Sequence, residues 1–480
     1  MGSGLYDLVI VGGGSAGLVA APAAAALGAR VALVDRERLG GECLWTGCVP
    51  SKSLIAAATA AHQTRHLQGL GLDGRLDAVD LGAVMDRVQS VIGAIYQTED
   101  PEAMRARGID VYLGQVAFRS PHELEVDGQV LRGRAFLLCT GSHPVVPPVP
   151  GLQTIAYLTN ETLFALRELP AHLIVAGAGP VGVEMAQAFR RLGAAVTVLA
   201  GDRGLLPRDD AEASAVLAGA FEREGITVRR GRLARVAQEG EQLRALYEGT
   251  GGAGEVRGDR LLLAVGRRPT VAGLGLEQAG VAYDAQKGIA IDAYLRTSVP
   301  HIFACGDVTG PYQFTHAAAF QATTAVRNAL FPRLKGKAHL EPMPWATFTD
   351  PEVAHVGQTE QEARHAGGRV VVLRHAFAHV DRAQAEGATE GFVKLIVTPW
   401  KGAILGGHIV GPGAGEMIQE VTLAMRRGLG VRALAGTIHV YPTLAMAVQQ
   451  AALRFYAQWP AYRLARGPLR ALLRRGRPAR

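Results

Sequence analysis

One glycine pattern occurs twice in this chain, and the two copies constrain the fold more than any other feature. In the first, the β-branched run 8–11 leads into Gly12-Gly13-Gly14-Ser15-Ala16-Gly17. An alanine-rich helical stretch follows to Leu27, and a second apolar run, 31–34, ends at Asp35. Strand, glycine turn, helix, strand and acid in that order predict a βαβ unit that holds a dinucleotide. Gly12 permits the tight turn, Gly14 lets the backbone approach a pyrophosphate, and Gly17 lets the helix lie close to the strand. Ser15 and Ala16 open the helix, whose free N–H groups and dipole attract phosphate. Asp35 stands 23 residues after Gly12, where an acid bonds a ribose hydroxyl pair.

The second copy lies 165 residues on: the run 173–176, then Gly177-Ala178-Gly179-Pro180-Val181-Gly182, a helix, and the run 196–199. At that offset Asp35 corresponds to Ala200, and Arg203 and Arg208 lie just beyond. Loss of the acid and gain of the arginines lean towards NADPH over NADH, although both arginines could equally be solvated loop charges. Two such units predict two dinucleotides, the economical combination being a bound flavin and a nicotinamide donor.

Composition closes off other classes. With 480 residues the chain has room for about three domains. At 48% hydrophobic and 19% charged residues it is a globular protein, not a disordered one. The longest apolar stretch, 18–29, falls short of the ~20 residues a membrane span needs. A strand-like run from Tyr6 leaves no room for a leader, and four cysteines are too few for a disulfide-stapled secreted fold, so a cytoplasmic protein is expected. The net charge of +7 is a property of the tail. Eight arginines and no acid occur from position 454 onward, and the rest has 42 bases against 43 acids. A nucleic-acid-binding body is therefore not expected. The tail also carries leucines, which suits either an anionic membrane surface or a solvated end.

Chemistry concentrates in Gly40-Gly41-Glu42-Cys43-Leu44-Trp45-Thr46-Gly47-Cys48-Val49-Pro50-Ser51-Lys52. Cys43 and Cys48 are five apart, which allows a disulfide across one helical turn. A helix N-terminus and Lys52 would both lower a thiol pKa. Two free cysteines or half a metal site are the other readings, but no His or Cys partners stand at zinc spacing, so no metal is expected. Cys139 and Cys305 sit in apolar runs and read as inert core residues.

This motif resembles that of the class I pyridine nucleotide–disulfide oxidoreductases, the family of dihydrolipoamide dehydrogenase, glutathione reductase and mercuric reductase, over roughly residues 5–457. The resemblance implies an α/β fold: two Rossmann-like dinucleotide-binding domains, for FAD and NAD(P), plus an α+β C-terminal dimerisation domain. The implied boundaries are 1–147 and 275–340 for FAD, 148–274 for NAD(P), 341–460 for dimerisation and 461–480 for the basic tail. It implies FAD on the first glycine unit and NADPH or NADH on the second. Cys43 matches the thiol that meets substrate and Cys48 the thiol against the flavin. Lys52 matches the lysine near the flavin, and Glu184 its acidic partner. Thr140-Gly141-Ser142, Gly306-Asp307, Thr315-His316 and Gly266-Arg267-Arg268-Pro269 match further cofactor-binding and domain-closing motifs. The segment from Trp345 to Glu352 resembles the opening of the dimerisation domain. A homodimer is implied, each site completed by the partner's C-terminal domain.

The resemblance breaks at 438–446. Where the family has the catalytic histidine this chain has Tyr441, and where it has the partner glutamate this chain has Met446; His439 matches a non-catalytic histidine. Imidazole titrates near 6.5 and phenol near 10, so Tyr441 is a poor base at neutral pH, and dihydrolipoamide or glutathione disulfide turnover is disfavoured by ~10²–10⁴-fold. The mercuric reductase branch also carries tyrosine there. Asp381-Arg382-Ala383, Gly391-Phe392-Val393-Lys394 and Ala200 look like that branch too. Yet no cysteine follows Cys305 in this sequence, and no metal-capturing N-terminal domain is expected. The expected enzyme passes electrons from nicotinamide through FAD and the cysteine pair to a soft metal ion, a small disulfide or a quinone. The rival expectations are a flavin-bearing redox sensor and an atypical dihydrolipoamide dehydrogenase.

Overall fold

The structure, a computed structural model, describes residues 4–459 and, beyond them, Gly467. The basic tail expected at 461–480 lies outside the described residues, Gly467 apart. The chain divides into two compact units, the first formed by 1–202 and 229–340 and the second by 203–228 and 341–480.

The first unit is built on a parallel sheet. Ile109–Leu113, Val31–Asp35, Tyr6–Val11 and Gln129–Leu138 lie side by side, and Ile302–Ala304 also pairs with Gln129–Leu138. Glu123–Val126 and Val116–Ser120 extend the sheet in antiparallel sense. The parallel strands read as unbroken apolar runs because both faces are covered. Leu8, Ile10, Leu33 and Leu137 enter one core, and Val9, Val11, Val34 and Leu138 the other. On the first face the helices Ser15–Ala26 and Thr315–Leu330 line that core with Ala16, Ala20 and Ala24 from one and Ala318, Ala322 and Ala325 from the other. The alanine-rich sequence thus gives small side chains on the helix faces turned to the core, which permits close packing.

A second parallel set repeats the arrangement with Arg260–Leu263, His172–Ala176 and Ala195–Leu199, followed on one side by the helix Pro180–Leu192. An antiparallel meander, Arg232–Glu239, Gln242–Gly249 and Gly252–Gly258, is inserted before Arg260–Leu263.

The second unit contains a five-stranded antiparallel sheet in the order Pro344–Thr347, Glu352–Gly357, Ile404–Gly411, Phe392–Val397, Val371–Ala376. The helices Ala414–Arg426 and Met446–Gln458 bury Ile418, Val421, Val448 and Phe455 in its core. The architecture is therefore α/β, with two dinucleotide-type βαβ folds and a separate α+β unit.

Candidate active site

Glycine conformations shape the two phosphate cradles. Gly12 has φ +108°, and a Cβ there would lie 2.3 Å from the Cys139 carbonyl oxygen. A Cβ on Gly17 would lie 1.9 Å from the Gly12 carbonyl oxygen, so only glycine lets the helix start this close to the turn. Gly41 closes over Gly14, where a Cβ would come within 2.4 Å of the Gly14 Cα. Asp35 accepts from the Gly13 amide at 2.7 Å, which fixes its carboxylate beside the turn. A carboxylate has about four lone-pair positions, so it can still accept from a ribose.

The second turn repeats this design. Gly177 has φ +116°, a Cβ on Gly182 would lie 2.2 Å from the Gly177 carbonyl oxygen, and a Cβ on Gly179 would meet nothing within 4 Å. No side chain caps the helix beginning at Pro180, whose next residue, Val181, is exposed. Both cradles offer bare backbone to a pyrophosphate and fit a dinucleotide. Arg203 and Arg208 belong to the second unit, where the Arg208 guanidinium lies 5.4 Å over the Trp345 ring.

The cysteine motif lies on two successive helices, Gly41–Trp45 and Cys48–Arg65. Cys43 sits within the first and Cys48 opens the second. Both are free thiols, with Cys43 donating a hydrogen bond to Cys48. That bond pulls the Cys48 pKa below the usual thiol range against the opposing effect of burial; Thr315, whose Oγ1 is 3.5 Å from Cys48 Sγ, and Lys52 add to it. Cys43 is pushed up, first by giving its proton to that bond and then by burial. The shared proton therefore favours Cys43, and Cys48 is the readier of the two to ionise. Lys52, one turn along the same helix, donates to Glu184 at 2.8 Å, and Glu184 is buried on the helix Pro180–Leu192.

Among the remaining motif residues, Ser142 and Arg267 meet at Asp307. Thr140 Oγ1 donates to the Thr270 carbonyl at 2.7 Å, and Gly141 has φ +68°. Ser142 Oγ donates to Asp307 Oδ2 at 2.5 Å. Gly306 has φ +78°, and its amide donates to the buried Gln321 at 2.7 Å. His316 stacks on Phe314 with ring centroids 5.2 Å apart, next to Thr315. Sequence reasoning did not single out Glu42 and Arg267. The Arg267 guanidinium forks onto both Glu42 carboxylate oxygens, while its Nε donates to Ser142 Oγ at 2.9 Å and stands 3.8 Å from Asp307. Asn160 donates to Glu42 at 2.6 Å. Burial pushes Glu42 up to about 7 against the pull of Arg267. Glu42 lies inside the cysteine motif and Arg267 just after Gly266, but the 225 residues between them carry no spacing signal.

In the second unit Tyr441 is exposed and donates to Asp381 Oδ2 at 3.0 Å, a bond that raises its pKa. His439 Nε2 is 3.0 Å from Glu420, and its Nδ1 is 3.0 Å from the Thr437 carbonyl oxygen. Among the described residues no group of three or more His, Cys, Asp or Glu could hold a metal ion.

Pyridine nucleotide-disulphide oxidoreductase matches residues 6–322, and the dimerisation domain of that family matches 343–452. A mercuric reductase of Streptomyces lividans is 37% identical over 457 residues, 94% of this chain and 96% of its own. A dihydrolipoyl dehydrogenase of Thermus scotoductus is 37% identical over 465 residues, 94% and 98% respectively. The Cu(II) complex of the HOCl-induced flavoprotein disulfide reductase RclA from Escherichia coli superposes with a TM-score of 0.85 at 28% identity, covering 94% of this chain and 99% of that one. The chain therefore belongs to the pyridine nucleotide-disulphide oxidoreductase family, whose members bind FAD and use NAD(P)H, and is a flavoprotein disulfide oxidoreductase.

Proposed function

We propose that this protein carries electrons from NADPH to a soft metal ion through the Cys43–Cys48 pair. Residues 1–147 and 275–340 hold FAD, 148–274 hold the nicotinamide, and 341–460 form the homodimer contact, in a cytoplasmic enzyme. Gly12, Gly14 and Gly17 leave room for the FAD pyrophosphate, Asp35 accepts from a ribose, and Asp307 accepts from the ribityl chain. A bound FAD would supply the hydride and electron-pair chemistry that links nicotinamide to sulfur. Cys48 stands as the thiolate on that side, and Cys43 as the thiol that meets the acceptor. Lys52, held by Glu184, keeps positive charge beside Cys48.

The observation that carries the choice of acceptor is Tyr441. In a dimer that brings this loop to the partner's cysteine pair, the group presented is a phenol whose proton is held towards Asp381. Such a group donates a hydrogen bond but does not take a proton from a dithiol at neutral pH. His439 offers no substitute, since acceptor oxygens lie against both ring nitrogens. A soft cation asks for thiolate ligands, and by binding it displaces the Cys43 proton to water, so a histidine base is not required. The mercuric reductase relative and the Cu(II) complex of a structural neighbour support a metal acceptor. Ala200 in place of an acid supports NADPH; the nearby Asp202 is bound to the Thr250 amide at 2.8 Å.

Steady-state NADPH oxidation with Hg(II), Cu(II), lipoamide and a quinone tests the reading. Metal-dependent turnover is expected, lost in Cys43→Ser, with a quinone rate that survives there. Dihydrolipoamide oxidation with NAD⁺ should run ~10²–10⁴-fold below that of a histidine-bearing relative. A dihydrolipoamide rate equal to the relative's, or metal turnover unchanged in Cys43→Ser, would overturn it. A single reduction followed by arrest with every acceptor would point instead to a redox sensor.

A further inference from the structure

Cys139 and Cys305 lie outside the site described above, and the structure brings them together. Cys139 immediately follows the strand Gln129–Leu138 and Cys305 immediately follows its parallel neighbour Ile302–Ala304. The register pairs Ala304 with Leu138, and the Cys305 amide donates to the Leu138 carbonyl at 3.0 Å, so the two cysteines are the next residues across the sheet. Their sulfurs are 3.5 Å apart, and the residues are 7% and 0% exposed. Neighbouring strands run about 4.8 Å apart, within the Cα separation a disulfide accepts. Rotations of the two side chains can therefore close the remaining gap.

We infer that Cys139 and Cys305 are a second redox pair, which a hydroperoxide closes into a buried cross-strand disulfide. The reaction balances in two steps. One thiol attacks the peroxide, its sulfur takes one oxygen and becomes a sulfenic acid, and water (for an alkyl peroxide, an alcohol) leaves. The second thiol then displaces hydroxide from that sulfur, and the two protons and the oxygen leave as water. Burial pushes the Cys139 thiol up, with the contact to Cys305 adding to it. The same elevation slows attack on a peroxide, because the thiolate is the nucleophile, and burial admits only a small neutral oxidant, so closure is expected under sustained peroxide exposure and not in a single rapid encounter.

Its position gives the closure a consequence. Cys139 is followed by Thr140 and Gly141, and Cys305 by Gly306 and Asp307. A bond between them would tie together the two strand ends that carry FAD-binding motifs. The Cys139 carbonyl also lies under Gly12, the first glycine of the cradle. The disulfide would act as a staple that retains the flavin fold under peroxide.

The test uses the purified holoenzyme. NADPH-reduced protein is alkylated so that Cys43 and Cys48 are blocked, then exposed to hydrogen peroxide, unfolded, and treated with a second alkylating label before non-reducing peptide mass spectrometry. The expected result is a linked peptide pair containing Cys139 and Cys305, with neither carrying the second label, reversed by a phosphine. The guanidinium midpoint for flavin release should rise on oxidation and fall back on reduction. Cys139→Ala should abolish the linked species and leave a trappable sulfenic acid at Cys305. Full second labelling of both cysteines, or sulfinic acid at either without a linked peptide, would overturn the inference. An unchanged flavin-release midpoint despite the linked peptide would overturn the staple.

Discussion

Cys48 owes its low pKa first to the proton shared by Cys43, then to Thr315 and the charge of Lys52, while burial and Glu184 oppose. Because the folded value lies below the usual thiol range of about 8.5, the reduced protein should carry a thiolate at neutral pH and lose it only as pH falls through the folded value. The two charges have opposite signs, so their removal should have opposite effects. Lys52→Met should move the midpoint of the thiolate ultraviolet absorbance upward, and Glu184→Gln should move it downward. Shifts of the same sign in both variants would show that the pair acts through packing and not through charge. Tyr441 obeys the same logic in reverse. Its bond to Asp381 raises the phenol pKa, so Asp381→Asn should lower it in a tyrosinate titration.

Elements set which substitutions the fold tolerates. A Cβ at Gly182 would press on the Gly177 carbonyl, whereas one at Gly179 would meet nothing within 4 Å. Gly182→Ala should therefore push the helix Pro180–Leu192 off its turn and cost roughly 10²-fold in kcat/KM for NADPH, the order expected for a ~1 Å displacement. Flavin content should be unchanged, since the first cradle is untouched. The strand Phe392–Val397 is buried throughout and has Lys394 at its centre, 2% exposed, with Asp210 at 3.0 Å, Glu212 at 2.8 Å and Glu360 at 2.6 Å. Lys394→Met removes the cation and leaves the buried Asp210 carboxylate with only backbone amides and His408 to offset its charge, a loss of up to about 3–5 kcal/mol. Urea unfolding would measure it, and a loss under ~1 kcal/mol would mean the carboxylates find other partners or protons. Burial opposes ionisation of Asp210, but His408 and Lys394 outweigh it and hold the carboxyl below its usual range. Its contribution to stability is therefore complete above the unfolded value of about 3.9 and lost as pH falls through the folded one.

At the scale of the whole molecule, the glycine units were legible because each is a local pattern, strand, turn, helix and strand within about 25 residues, closed by an acid in the first copy alone. The cysteine motif was legible for the same reason. Lys52 and Glu184 could be paired only through the family resemblance, since helix packing, not spacing, joins them. The fork from Arg267 to Glu42, the bond from Ser142 to Asp307 and the contact of Cys139 with Cys305 were not legible at all. Each joins residues more than 120 apart in sequence. Nothing in the sequence marks Lys394 as buried, and only the carboxylates folded around it make it a core residue. Assembly has its own test. If Tyr441 serves the partner's cysteine pair through a hydrogen bond, Tyr441→Phe should lower metal turnover, and mixing it with inactive Cys43→Ser homodimers under exchange conditions should regain the lost turnover, because a hybrid has one intact site. No regain despite demonstrated exchange would place Tyr441 outside the reaction.

The central claim is that Cys48 is a thiolate set against the flavin. Anaerobic titration of the holoenzyme with NADPH at pH 7, followed by absorbance, tests it most directly. A long-wavelength band should grow in with the wild-type protein, persist in Cys43→Ser without added reductant, and be missing from Cys48→Ser. A reduced wild-type protein with no such band, or a band that survives in Cys48→Ser, would contradict the account.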